Sequence, residues 1–382
     1  MSVDPEGELA ALLPRLIRDS RVHFIDNLRS TLVALVIFHH ACLPFGGFGM
    51  WPYVSPYHSP ASSRILSVFV TVNQSYFMGL LFFLSGHWSS LAADRKNWAA
   101  FCVDKLKRLG VPAVLYTLFL QPLVFIVVWW KQQAPIFSPL LAYWSNLRGV
   151  QGPVWYLAVL LLFDLIYITI RTFLPLFSFL VPKSAARYRA TAAVSISAVI
   201  ICSYLIRTSH PGGVVTPPLN IQLAYVSQYV LAYTSGTCLS RIQQYLLVPS
   251  HPGRALALAY FFAIISLFVI SFPLKFGMTW LVDALSAVWN EVSFYFIGTA
   301  LYSCFHDWSY TTKRWGTTAR YSYGAYLLHA FVVVSLQILI DVGGPGPVYG
   351  VIKALVVGTL GVCISWAAAW VLIRLPGVGK FV

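Results

Sequence analysis

Seven ionisable side chains stand inside otherwise apolar runs of this chain: Arg29, His39, His40, His87, Asp164, Glu291 and His329. Charged or titratable groups at membrane depth cost several kcal/mol, which makes each a functional candidate until it is explained otherwise. The first run is the most informative. It opens Asp26-Asn27-Leu28-Arg29, continues through mostly apolar residues, and reaches His40. Eleven helical steps of ~100° bring Arg29 and His40 onto one face, about 16–17 Å apart along the axis. His39 points ~80° away from that line, and Asp26 falls within about 40° of it. An imidazole suits proton abstraction near neutral pH, and a guanidinium at a distance suits an anionic group. A plainer reading is open at this point: Arg29 snorkels to the interface, Asp26 caps the helix start, and His40 is an interhelical hydrogen-bonding group.

Those residues need long helices to carry them, and the composition supplies them. Only 10% of the 382 residues are charged and 58% are apolar, whereas a soluble domain carries about a quarter charged residues. Apolar runs of the length needed to cross ~30 Å of hydrocarbon recur throughout. Ten spans are expected, near 28–46, 65–89, 110–130, 152–173, 190–206, 219–240, 254–274, 284–305, 320–341 and 349–374. The fold class is therefore all-α, a polytopic bundle of about ten transmembrane helices. With both termini cytosolic, 20 of the 26 basic residues fall on the cytosolic side, as the positive-inside bias requires. Residues 1–24 read as a cytosolic arm, with an amphipathic pattern through Leu13, Leu16 and Ile17. Residues 25–376 form the transmembrane domain and 377–382 a cytosolic tail. The stretch 174–181 reads as an interfacial segment. No cleavable signal peptide is evident before Asp26.

The net charge of +14 would suggest nucleic acid in a soluble protein. Here the cations cluster between spans, so the expected partners are the lipid bilayer and an anionic cofactor, with no nucleic acid. Six cysteines form no close pair. They read as small buried apolar side chains, not as a disulfide framework or a metal site.

The order of several short motifs resembles the acyltransferase 3 family of membrane O-acyltransferases. Asp26-Asn27-Leu28-Arg29 with His40 is similar to the family's Arg-x10-His signature. Phe82-Phe83-Leu84-Ser85-Gly86 resembles its Phe-Phe-Leu-Ser-Gly stretch, and Lys105-x2-Arg108-Leu109-x2-Pro112 the basic start of its third span. Val154-Trp155-Tyr156-Leu157 resembles its Leu-Trp-Phe-Leu segment. Ser322-Tyr323-Gly324-Ala325-Tyr326-Leu327-Leu328-His329 is similar to its Ser-Tyr-Gly-x-Tyr-Leu-x-His motif. The likeness covers roughly residues 24–374. His87-Trp88 in place of an apolar pair, and Ser30 after Arg29, depart from the pattern; His87 could narrow the acyl or acceptor pocket.

The resemblance implies transfer of an acyl group, most often acetyl, from acyl-CoA as co-substrate to a hydroxyl. On that reading His40 is the base and Arg29 holds CoA from the cytosolic side. Lys105 and Arg108 stand beside a helix N-terminus that favours anions, where ordinary positive-inside charge is the alternative. Glu291, at a depth that could meet His40, would orient the imidazole, or else be a protonated acid bonded between helices. Asp164, Trp155, Tyr156 and His329 are the expected acceptor-side residues; packing, or an aromatic belt for the two rings, is the plainer alternative. Ser85-Gly86 reads as a site of close helix approach. The competing class is a transporter using the same charges as a relay. The sequence shows neither the related halves nor the broken helices of such folds. The acceptor expected is a small molecule, such as a secondary metabolite, or a glycan.

Overall fold

Ten long helical segments follow one another where the apolar runs predict them. The computed structural model describes residues 23–57, 59–174, 184–245, 249–344, 346–377 and 379. The amphipathic arm, most of the 174–181 stretch and most of the tail lie outside the described residues. The helices are α1 (His23–Cys42), α2 (Pro60–Ala93), α3 (Trp98–Lys131), the short α4 (Phe137–Ser145), α5 (Trp155–Phe173), α6 (Ala185–Ser209), α7 (Val226–Thr237), α8 (Pro252–Ser271), α9 (Thr279–Asp307), α10 (Thr318–Ile340) and α11 (Tyr349–Arg374). No strand occurs among the described residues; one isolated bridge joins Thr216 and Ile221. The protein is an all-α, multi-pass membrane protein. Eight of these helices are long and apolar enough to cross a bilayer. The other two expected spans are helical but atypical. α7 has 12 residues and is prolonged by short turns on both sides, while α9 has 29 residues with Asn290 and Glu291 near its middle.

α1 occupies the centre, packed by α2, α10 and α11, and α7 crosses α2. Two glycines make that crossing possible. A Cβ on Gly236 would stand 1.9 Å from the Phe83 carbonyl oxygen, and one on Gly86 would stand 2.2 Å from that of Tyr233. The Ser85-Gly86 pair thus permits close helix approach. α6 and α8 lie at the periphery and bury few residues; Phe261, Phe262 and Phe268 of α8 are exposed on the outside. Such faces suit lipid, which asks only that backbone polar groups be paired within the helix. The cysteines divide: Cys42, Cys102 and Cys304 are buried as expected, but Cys202 and Cys363 are exposed on the peripheral faces of α6 and α11.

α3 begins at Trp98, well before the expected 110, and passes straight through two prolines. Proline has no N–H and crowds the carbonyl four residues back. The helix answers with two π turns, Leu106–Gly110 and Tyr116–Leu120, which end ahead of Pro112 and Pro122. The carbonyls thereby released find side-chain donors. The Tyr323 hydroxyl donates to Arg108 O at 2.5 Å, and Trp144 Nε1 of α4 donates to Leu118 O at 3.1 Å.

The connections sort to two ends as the alternation of ten helices requires. At one end Asn27 donates to the carbonyls of Thr311 and Lys313, and Arg171 pairs with Asp94 at 2.6 Å. At the other end the segment 46–57 lies across the bundle as a strap. Ser55 and Tyr53 donate to Asp341 at 2.8 and 2.6 Å, and Ser59 and Ser62 donate to Pro347 O. The loops around 150 and 218 are joined there too, by Val150 N to Pro218 O at 2.9 Å.

Candidate active site

His40 stands two residues before the end of α1, in the wall of a cavity of about 580 Å³ at the strap end. The site is built from the α1 and α10 helices and the strap. His329, fully buried on α10, places Nε2 3.0 Å from His40 Nδ1. Its own Nδ1 lies 2.5 Å from the Tyr326 carbonyl oxygen. A carbonyl only accepts, so His329 Nδ1 must carry a proton, and a neutral His329 then presents Nε2 as an acceptor. His40 must therefore donate from Nδ1, which leaves its Nε2 as the basic nitrogen. One backbone carbonyl sets the tautomer of both rings. Trp51 of the strap lies over His40 with ring centroids 4.5 Å apart and planes 14° from parallel. Buried Gln337 ties the three together: it accepts from Trp51 Nε1 at 2.7 Å and donates to His40 O at 2.9 Å.

Trp155 and Tyr326 also line the cavity and with His40 bring three of the motifs into one space, where Tyr229 joins them. Tyr156 does not reach it directly. Its hydroxyl is 2.7 Å from Ser85 Oγ, binding α5 to α2. The hydroxyl of Tyr326 donates to Pro153 O at 2.5 Å, and that of Tyr323 goes to Arg108 O, so the aromatic hydroxyls of α10 are not partners of His329. His87 is buried beside Trp88 and is no part of the cavity wall.

Glu291 is not brought to His40. Its carboxylate accepts from Asn290 Nδ2 at 3.0 Å and is surrounded by Arg207, Gln228 and Ser203. No hydrogen bond or ion pair joins it to His40 among the described residues. Arg207, expected in an outer loop, is buried at the end of α6, bonded to Ser203 and set over the Tyr225 ring. Glu291 is thus one part of a buried polar cluster behind the cavity.

Asp164 and Lys105, expected to serve acceptor and cofactor separately, serve each other. Asp164 is 0% exposed, its Oδ2 lies 2.8 Å from Lys105 Nζ, and its Oδ1 accepts from the Tyr233 hydroxyl at 2.6 Å. Lys105 also donates to Ser89 Oγ at 2.8 Å. A buried carboxylate needs such compensation, so this ammonium is committed. Arg108 remains available: its side chain is 66% exposed, with Asp104 3.3 Å away. Arg29 is 33% exposed; it donates to Ala319 O at 3.2 Å and lies 3.5 Å from Asp26. Asp26 sits one turn inside the described helix start, where it pairs with Arg29 instead of capping.

Five separate stretches of sequence thus meet in pairs, Ser85 with Tyr156, Asp164 with Lys105, Tyr323 with Arg108, Tyr326 with Pro153 and His329 with His40. The family model described as an acyltransferase domain, that of acyltransferase 3, matches residues 22–374. The chain belongs to the acyltransferase 3 family. Comparison with curated proteins and with solved structures gave no match. Membership makes this protein a membrane acyltransferase and sets it apart from the transporter class. The 22–374 match runs from the described start of α1 to the end of α11, so every helix that builds the cavity lies inside the acyltransferase 3 domain. A second cavity of about 430 Å³, between α2, α6, α7 and α9, carries no imidazole or carboxylate.

Proposed function

We propose that this acyltransferase 3 protein is an O-acyltransferase that moves an acyl group, acetyl foremost, from acyl-CoA to a hydroxyl of a small-molecule or glycan acceptor. His40 is the general base. The observation that carries this reading is the Tyr326 carbonyl–His329–His40 chain, which leaves His40 Nε2 as the lone-pair nitrogen on the cavity wall. In the reaction Nε2 takes the proton of the acceptor hydroxyl as its oxygen attacks the thioester carbonyl. The carbon–sulfur bond then breaks, and the CoA sulfur leaves with the proton returned by the imidazolium. No cysteine or serine nucleophile is bonded to His40 among the described residues, which favours direct transfer. Acyl-CoA approaches from the end that carries Arg29 and Arg108, with its phosphates on those guanidiniums and its thioester reaching along α1 toward His40. Lys105 acts here through Asp164, by fixing α3 against α5.

The test is transfer from radiolabelled acetyl-CoA by purified protein in lipid nanodiscs, across a panel of hydroxylated acceptors. His40→Ala is expected to lower the transfer rate by about 10²–10⁴, the range of a lost general base. Transfer at the wild-type rate by His40→Ala would remove the proposed base.

A further inference from the structure

The cavity wall has a property that the mechanism above does not use. Among the described residues that line it there is no Asp, Glu, Lys or Arg, although the chain holds 38 such residues and several are buried elsewhere. Polar contact is offered instead by side-chain amides, of which Gln74 and Gln151 make no side-chain hydrogen bond within the described protein. Apart from Thr71 the remainder is apolar or aromatic, Val36, Phe77, Met78, Val124 and the Trp155 ring among it. Beside His40 stands His39, 6% exposed, stacked on Phe77 at 4.9 Å and edge-on to the His40 ring at 5.5 Å. His39 lines the same cavity, and neither of its ring nitrogens has a hydrogen-bond partner among the described residues; Nδ1 is fully enclosed, which leaves Nε2 to face a ligand. A buried polar atom is rarely left unpaired without a reason.

These facts restrict what can sit beside His40. A carboxylate or ammonium entering a site with no counter-charge loses its hydration without compensation. The only groups that could become cationic there are the two imidazoles. Protonating His40 would fill the lone pair that has to accept the hydroxyl proton, so an anionic acceptor would disable the base it needs. We propose that the cavity takes an uncharged hydroxyl compound with an apolar body, held by a hydrogen bond to His39 Nε2 beside His40. The inference rests on reading this cavity as the acceptor site. His39, which helical geometry alone turns away from the Arg29–His40 line, is then an acceptor-binding residue in its own right.

The experiment separates this from the chemistry by measuring binding without any acyl-CoA. Full-length protein in nanodiscs is dialysed to equilibrium against naphthylethanol, naphthylacetate and naphthylethylamine, with empty nanodiscs subtracting lipid partition. The alcohol is expected to bind at least about tenfold tighter than either charged relative, a difference of ~1.4 kcal/mol. His39→Leu keeps the contact with Phe77 and is expected to weaken the alcohol about tenfold, while His39→Gln, with a polar atom near the Nε2 position, recovers most of the loss. Gln74→Glu supplies a counter-charge and should raise naphthylethylamine binding about tenfold. Equal or tighter binding of a charged relative by the unmodified protein, or no protein-dependent binding of the alcohol, overturns the proposal. Unchanged alcohol affinity in both His39 variants removes the role of His39. Loss of acetyl transfer with this binding pattern intact counts against the catalytic reading alone.

Discussion

His329 separates what residue spacing can and cannot show. Arg29 and His40 were legible as a pair because both lie on one helix, where eleven steps fix their common face. The partner of His40 lies 289 positions away, and no local pattern announces a contact across that distance. The motif around His329 gave its place and not its use. Glu291 shows the converse error: residue counting gives depth along the bilayer normal but not the direction in which a helix faces, and α9 turns it toward Arg207 and Asn290. A positioning role for His329 makes a kinetic prediction. His329→Ala frees His40 to rotate and change tautomer, so kcat is expected to fall about tenfold to a hundredfold, less than the ~10²–10⁴ of the base itself. KM for the acceptor should hardly move. His329→Gln, whose amide oxygen can accept from His40 Nδ1, should recover part of the loss. Residues acting as one unit are not additive, so His40→Ala combined with His329→Ala should be no slower than His40→Ala alone. A further drop in the double variant would show that His329 acts independently of His40.

Elements were easier to foresee than their ends. Long apolar runs located a helix at each of the ten expected spans, but the third starts twelve residues before the expected 110 because an interior proline usually reads as a boundary. Two π turns absorb the misfit, and their released carbonyls bond Tyr323 and Trp144, contacts that exist only in the folded bundle. α7 is short for a span, and it holds its place through the glycine-lined crossing with α2. Gly236→Ala would put a methyl carbon 1.9 Å from the Phe83 carbonyl, a backbone atom that cannot rotate away. The two helices would have to move apart, at a cost of about 1–3 kcal/mol for such overpacking. The expected outcome is a lower melting temperature in detergent and looser packing of Phe82 and Tyr229, whose rings meet at 4.8 Å across this crossing. An unaltered melt for Gly236→Ala would mean that the crossing is softer than its geometry implies.

At the level of the whole molecule, the charge count that oriented the bundle put Arg207 and Lys353 among the six basic residues outside the cytosolic set, and both are buried. α6 runs past the expected 206 to Ser209, so Arg207 falls inside its end, whereas Lys353 lies within α11 at Tyr349–Arg374, the same bounds as the expected span. Lys353 is the more consequential of the two. Its Nζ lies 2.5 Å from Asp341 Oδ1, donates to Tyr57 O at 3.3 Å, and is enclosed by the rings of Phe45, Tyr57 and Tyr349. Asp341 in turn accepts from Tyr53 and Ser55, so one buried ion pair fastens both ends of the strap that carries Trp51 over His40. Removing one partner of such a pair leaves the other charge uncompensated, at a cost of about 3–5 kcal/mol. Lys353→Met should therefore destabilise the strap end of the molecule well beyond the loss of a surface charge. Trp51 keeps its bond to Gln337 and Ser59 its bond to Pro347, but 53–57 loses its buried anchor, so hydrogen exchange across 53–57 is expected to accelerate while the α2–α7 crossing stays protected. Transfer should slow in the same variant, since Trp51 then holds the His40 ring in its plane less firmly. Exchange that rose equally everywhere would make Lys353 a general stabiliser of the bundle. Unchanged exchange across the strap would show that Trp51 is held by Gln337 alone.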